Sequence, residues 1–257
     1  MKTLLAVDVG NTSTDLGAFR GETLEARWSL STDRARTVDE YGVAIRSLFS
    51  AHALDPGDIQ AMIVACVVPP MESILQAVAR RYLGLTPLFV APGIKTGMPV
   101  LVDNPQEVGA DRIVNGVAAY ARFHEAVIVV DFGTATTFDA VSARGEYLGG
   151  AIAPGLGISA QALFDATAKL PRIDLRRPER AIGKSTVASM QSGVFFGYLG
   201  LVREILGQIR AEMGGTPRII ATGGLSPLLE PELSSWVDAV DSNLTLTGLR
   251  ILHERNP

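Results

Sequence analysis

Two segments about half a chain apart carry residue types suited to holding a phosphate. The first is Leu5-Ala6-Val7-Asp8-Val9-Gly10-Asn11-Thr12-Ser13-Thr14-Asp15, and the second is Val129-Val130-Asp131-Phe132-Gly133-Thr134-Ala135-Thr136-Thr137. In each, an apolar strand ends in Asp, and one residue later a Gly opens a cluster of small hydroxyl or amide side chains. Phosphoryl oxygens need backbone N–H groups and hydroxyl donors close by, with Gly where a side chain would obstruct. The strand-end Asp can hold Mg²⁺, directly or through its waters, beside those phosphates. Either copy alone also reads as an ordinary hairpin turn. Their repetition points to a duplicated domain with paired loops facing one cleft.

Two further segments carry chemistry in a weaker form. In Ile219-Ile220-Ala221-Thr222-Gly223-Gly224-Leu225-Ser226 a strand runs into two glycines and a helix start at Ser226-Pro227. Adjacent glycines let a flat ring approach the backbone, although the same junction serves as a packing device in many α/β folds. Asn104-Pro105-Gln106-Glu107-Val108-Gly109-Ala110-Asp111-Arg112 precedes a helix expected to begin near Ile113. Asp111 there either caps the helix or accepts a proton from a substrate hydroxyl while Arg112 reads an anion, and spacing alone favours the cap.

The elements that must position these residues alternate between strand-like and helical patterns, the mark of an α/β protein. Strands are expected at 3–9, 61–68, 88–91, 126–131, 138–142, 147–153 and 218–222. A capping-box pattern, Thr37-Val38-Asp39-Glu40, opens one helix, a second begins at Met71, and the longest apolar stripe runs from Gln191 to Met213. The segments 91–99 and 171–178 read as surface loops.

With 257 residues, 47% of them hydrophobic and 19% charged, the chain can bury a substantial core and reads as two compact halves, 1–115 and 116–257. A net charge of -4 gives no global basic field, which argues against nucleic acid as a ligand. No uncharged apolar stretch is long enough to span a bilayer. The single cysteine, Cys66, lies in an apolar run and reads as a buried strand thiol in a reducing, cytoplasmic setting.

Taken in order, Asp8-Val-Gly-Asn-Thr12, Gly109-Ala-Asp-Arg112, Asp131-Phe-Gly-Thr-Ala-Thr-Thr137, Gly183-Lys-Ser-Thr-Val-Ala-Ser-Met-Gln-Ser-Gly193 and Ala221-Thr-Gly-Gly224 resemble the successive motifs of type III pantothenate kinases. The resemblance implies a duplicated ribonuclease-H-like, actin-like ATPase fold, two halves with mixed sheets flanked by helices. It implies ATP-dependent phosphorylation of pantothenate, the first step of coenzyme A biosynthesis. By motif it carries over Asp8, Val9, Gly10, Asn11, Thr12, Ser13, Thr14 and Asp15 to ATP phosphates and Mg²⁺, with Thr134, Gly223 and Gly224 as further ATP contacts. Asp111 becomes the general base, and Gly109, Ala110, Asp111, Arg112 and Thr186 become pantothenate contacts. Asp131 is implied as ligand of a monovalent cation, K⁺ or NH₄⁺, and a homodimer is expected with the substrate site near its interface. Val102 stands where many relatives carry tyrosine, which bears on a substrate-pocket contact.

Other motifs give way on inspection. Gly183-Lys184-Ser185 lacks the leading glycine of a P-loop, and Gly155-Leu-Gly157 lacks the acidic residue of a dinucleotide fingerprint, so close packing is the better reason for its glycines. His52, His124 and His253 are far apart and form no metal or nucleophile pattern. The competing functions are an actin-like kinase for another small hydroxyl acceptor and a non-catalytic ATP-binding regulatory relative, whose mark would be loss of Asp8 or Asp111.

Overall fold

The computed structural model describes residues 3–257 of the chain. The described residues divide into two compact units, one of residues 3–97, 104–118 and 244–257 and the other of residues 98–103 and 119–243.

In the first unit β1 (Thr3–Val9), β2 (Ser13–Arg20), β3 (Thr23–Ser31), β4 (Ile59–Cys66) and β5 (Leu88–Phe89) form one sheet in the order β3-β2-β1-β4-β5. β1 pairs antiparallel with β2 and parallel with β4. Two helices, α1 (Val38–Ala51) and α2 (Pro69–Val78), bury Tyr41, Ile45, Phe49, Met71 and Leu75 against Leu5, Val7, Val9 and Leu16 of the sheet. The capping box at the start of α1 forms as its sequence dictates: Thr37 Oγ1 accepts from the Glu40 backbone N–H, and Glu40 accepts from the Thr37 backbone N–H. After α2 the chain takes a single π turn, residues 79–83, and stops at Gly84 in the left-handed region.

The second unit repeats that plan. β6 (Val127–Phe132), β7 (Ala135–Val141), β8 (Tyr147–Pro154), β9 (Arg218–Thr222) and β10 (Ala239–Val240) form a sheet in the order β10-β9-β6-β7-β8. β6 again has an antiparallel neighbour, β7, and a parallel one, β9. The long helix α5 (Thr186–Met213) and α6 (Ser226–Leu233) cover this sheet, with Phe195, Tyr198, Val202 and Leu229 on Ile128, Val130, Phe132 and Phe138. α4 (Leu156–Asp165) follows β8 directly. Read from β3 and β8 inward, the two strand orders are the same, which is the duplicated mixed-sheet fold that the repeat implies.

Several expected boundaries shift. β4 starts two residues before the apolar run suggests and releases Val67 and Val68 before α2. α5 begins at Thr186 rather than Gln191, because the Ser185 side chain caps it by accepting from the Ala188 N–H. β2 and β3 lie outside the sequence expectation, since Asp15 and Gly17 lower the strand signal of β2. A third helix, α3 (Ala110–Phe123), begins three residues earlier than expected, and the division between the units falls within it.

The last helix, α7 (Leu244–Arg255), belongs to the first unit although a cut at 115 assigns it to the second half. It packs on β1, β2 and β4, and Thr245 Oγ1 donates to Asn115 Oδ1 of α3 at 2.7 Å. Gly248 permits this approach, because a Cβ there would lie 2.4 Å from the Val114 carbonyl oxygen. Gly248→Ala should therefore destabilise the protein by roughly 1–3 kcal/mol through overpacking; a thermal melt reads this, and an unchanged midpoint would contradict the close approach.

Candidate active site

The carboxyl end of β1 and its hairpin into β2 carry the residues of the first repeat, with the end of the parallel strand β4 beside them. β1 ends at Val9, and its hairpin to β2 closes with the Gly10 N–H donating to the Ser13 carbonyl at 2.9 Å. Thr32 braces the loop: its hydroxyl donates to the Gly10 carbonyl at 2.8 Å and its N–H to the Thr12 carbonyl at 2.9 Å. Asn11 and Thr12 are exposed at the tip. Val9 and Thr14 face the interior, and the Thr14 hydroxyl shares a hydrogen with Thr32, so these two can meet a phosphate through their backbone alone.

Strand register sets Asp8 opposite Asp15. Like charges directly opposite one another destabilise a sheet. Arg27 of β3 offsets one of them, its guanidinium lying 3.4 Å from Asp15 Oδ1, while the Ser13 hydroxyl donates to Asp15 Oδ2 at 3.3 Å. The donors here are oxygen only, and among the described residues no group of three or more His, Cys, Asp or Glu side chains could hold a metal ion. One or two carboxylates beside a phosphate-binding loop fit Mg²⁺, which completes its shell from phosphates and water.

Asp111 lies at this same end of the sheet. The Val67 N–H donates to the Val9 carbonyl at 3.1 Å, and a Cβ on Gly109 would lie 3.7 Å from Val67 Cγ1. Gly109 also leaves room for the carboxylate, since a Cβ there would come within 2.5 Å of Asp111 Oδ1. Within the first turn of α3, Asp111 Oδ1 accepts from the Arg112 N–H at 2.8 Å. Burial pushes its carboxyl above the usual aspartate range, against the opposing pull of that N–H and of the Arg112 guanidinium. Asp111 thus accepts a first-turn N–H as a capping carboxylate would, and its burial is a feature that spacing does not reveal. Cys66, the last residue of β4, donates its thiol to the Val68 carbonyl at 3.2 Å, and burial pushes its pKa up with help from Glu72 and Asp8. It stays a neutral thiol.

In the second unit the corresponding residues gather at the carboxyl ends of β6 and β9. The hairpin is one residue tighter than the first, with the Gly133 N–H donating to the Ala135 carbonyl at 3.1 Å. Thr134 is exposed at its tip, and its carbonyl accepts from the Gly155 N–H at 3.1 Å. A Cβ on Gly155 would come within 2.3 Å of that carbonyl, so this glycine serves close packing, whereas Gly157 meets only Leu175 at 4.0 Å.

Asp131 pairs in register with Thr222, and Gly223 follows with φ +92°. A Cβ on Gly223 would fall 2.4 Å from Asp131 Oδ1, so the carboxylate occupies space that only glycine leaves. Gly224 borders open space. The two glycines thus differ: the first seats Asp131, and the second leaves the backbone approachable. Thr186 opens α5 as an exposed residue and lines a groove of about 750 Å³ between α4 and α5 with Leu163, Met190, Gly193, Gly197 and Tyr198. Val102 is half-buried, 3.6 Å from where a Cβ of Gly149 would lie. Arg27 and Thr32 are site-building residues that sequence reading alone misses, because each supports the first hairpin from a neighbouring strand or the loop after it, whereas Gly155 does the close packing its sequence suggested.

Comparison with known proteins agrees with this arrangement. The family model of type III pantothenate kinases matches residues 4–208. Three relatives, each described as a type III pantothenate kinase, cover 98% of the chain: 53% identity over 99% of the protein from Anaeromyxobacter sp. (strain K), 55% over 99% of that from Geobacter sulfurreducens, and 56% over 96% of that from Koribacter versatilis. Among solved structures, the ethanolamine utilization protein EutJ from Carboxydothermus hydrogenoformans aligns with a TM-score of 0.57 at 15% identity, covering 98% of this chain and 90% of that one. MreB 5 of Spiroplasma citri bound to AMPPNP aligns with a TM-score of 0.52 at 10% identity, covering 99% and 96%, which places the fold among actin-like ATPases. The chain belongs to the type III pantothenate kinase family.

Proposed function

We propose that this pantothenate kinase transfers the γ-phosphoryl group of ATP to the primary hydroxyl of pantothenate, giving 4'-phosphopantothenate, with Asp111 as general base. The observation that carries the assignment of the base is the Asp111 carboxyl, raised in pKa by burial and set at the sheet end that bears the Asp8 hairpin. Phosphoryl transfer asks mainly for positioning and charge neutralisation. Asp111 accepts the hydroxyl proton as the oxygen attacks, and its raised pKa brings it nearer the operating pH, where a base works best. Gly109, Ala110 and Arg112 hold pantothenate, Arg112 supplying a fork of donors for an anion. The backbone from Asp8 to Asp15 cradles the ATP phosphates, with Thr134 and the Gly223–Gly224 backbone as further contacts. Asp8 would hold Mg²⁺, directly or through water, and the ion would supply neutralisation of phosphate charge. Asp131, seated by Gly223, takes a monovalent cation such as K⁺ or NH₄⁺.

The enzyme acts as a cytoplasmic homodimer in this reading. Support for the dimer comes from the α4–α5 groove, where Gly193 and Gly197 allow close approach and Ile158, Leu163 and Val187 remain exposed. Thr186 lines the same groove, as a substrate contact beside an interface would. No described helix is long and apolar enough to cross a membrane.

Asp111→Asn should lower kcat/KM by roughly 10²–10⁴-fold with ATP binding retained. The sign of its stability effect is opposite. A carboxyl whose pKa is raised on folding favours the folded state at pH below its unfolded pKa and costs stability once ionised at higher pH. The Asn variant should therefore melt at or above the parent temperature at neutral pH. Parent activity should fall as pH drops through a pKa above the usual aspartate range; near-parent turnover in the Asn variant would remove Asp111 from this role. Leu163→Glu should shift the protein from dimer to monomer in sedimentation, and an unchanged dimer would exclude this groove as the interface.

A further inference from the structure

Asp139, in the middle of β7, is a fully buried carboxylate that none of the roles above uses. Both its oxygens are engaged: the Tyr147 hydroxyl donates to Oδ1 at 2.7 Å, and the Thr137 hydroxyl donates to Oδ2 at 3.2 Å. Tyr147 is itself fully buried. A buried polar side chain is kept when it is hydrogen-bonded, and this one orders the two hydroxyls that donate to it.

The consequence falls on Thr137. A hydroxyl has one proton and two lone pairs. With its proton committed to Asp139, Thr137 Oγ1 turns lone pairs toward its other neighbours. Register sets Thr137 opposite Asp131 across β6 and β7, where facing residues share one side of the sheet with Cβ atoms about 4.5–5.5 Å apart. An acidic side chain and a hydroxyl oxygen therefore stand on one face at the end of β6, and both are ligand types for a hard cation.

The first hairpin has a different pair at the equivalent place. There Asp8 faces Asp15, two carboxylates; here Asp131 faces Thr137, one carboxylate and one neutral oxygen. The first suits a divalent ion and the second a monovalent one.

We infer that Thr137 is a further oxygen ligand of the cation site at Asp131, and that Asp139 and Tyr147 are positioning residues that hold its proton away from the ion. This inference rests on the reading of Asp131 as a monovalent-cation ligand.

The test titrates the full-length enzyme with KCl at constant ionic strength, made up with choline chloride. Two readouts are followed: the K⁺ concentration giving half-maximal turnover, and the rise in melting temperature that K⁺ produces without nucleotide. Thr137→Val keeps the shape and removes the oxygen, and should raise the half-saturating K⁺ concentration about 10-fold or more in both readouts. Thr137→Ser should stay close to the parent. Asp139→Asn, if folded, should shift both readouts in the direction of the Val variant. A Thr137→Val protein that matches the parent in both would overturn the inference and leave Asp131 in its role. A parent enzyme indifferent to K⁺, or an Asp131→Asn variant that keeps the parent's K⁺ response, would instead remove the underlying reading of Asp131.

Discussion

Each unit depends on one arrangement: a strand, β1 or β6, buried except at its partly exposed aspartate, with an antiparallel neighbour on one side and a parallel neighbour on the other. The antiparallel hairpin fixes which residue faces the strand-end aspartate, and the parallel strand brings a second chain segment to the same end. Because side chains alternate across a strand, a slip of one residue would turn Asp8 or Asp131 into the apolar layer. The buried valines and isoleucines on the opposite face resist that slip. The apolar layer under α1, α2 and α5 is thus what holds the polar ends in register.

Electrostatics then distinguishes the two copies. Asp8 faces a carboxylate that Arg27 offsets, and Asp131 faces a hydroxyl whose proton Asp139 holds. Close packing of glycine completes both sites, with Gly109 beside Asp111 and Gly223 beside Asp131. At these positions glycine supplies room for a carboxylate, a need that turn geometry alone does not reveal.

The repeat is legible in the sequence because strand, Asp and Gly recur at fixed spacing, and the capping box of α1 is legible because it is local. What escapes sequence reading is non-local. Nothing in residues 244–255 says that this helix packs on the first sheet, since its partners Asn115 and Val114 lie more than a hundred residues upstream. β3 carries a period-two signal in Leu24, Ala26, Trp28 and Leu30, but Asp15 and Gly17 interrupt the pattern of β2, the strand that links it to β1. Asp111 reads as a helix cap because spacing carries no information on desolvation. Its raised pKa comes from the surfaces that close around α3 in the fold.

As a type III pantothenate kinase, the protein phosphorylates pantothenate. The most direct measurement follows ADP release by purified protein given ATP, Mg²⁺ and K⁺, with and without pantothenate, and identifies the product by mass spectrometry. ADP and 4'-phosphopantothenate are expected in equal amounts, with ADP release dependent on pantothenate. ADP release that ignores pantothenate, or ATP binding without turnover when pantothenate is present, would contradict it.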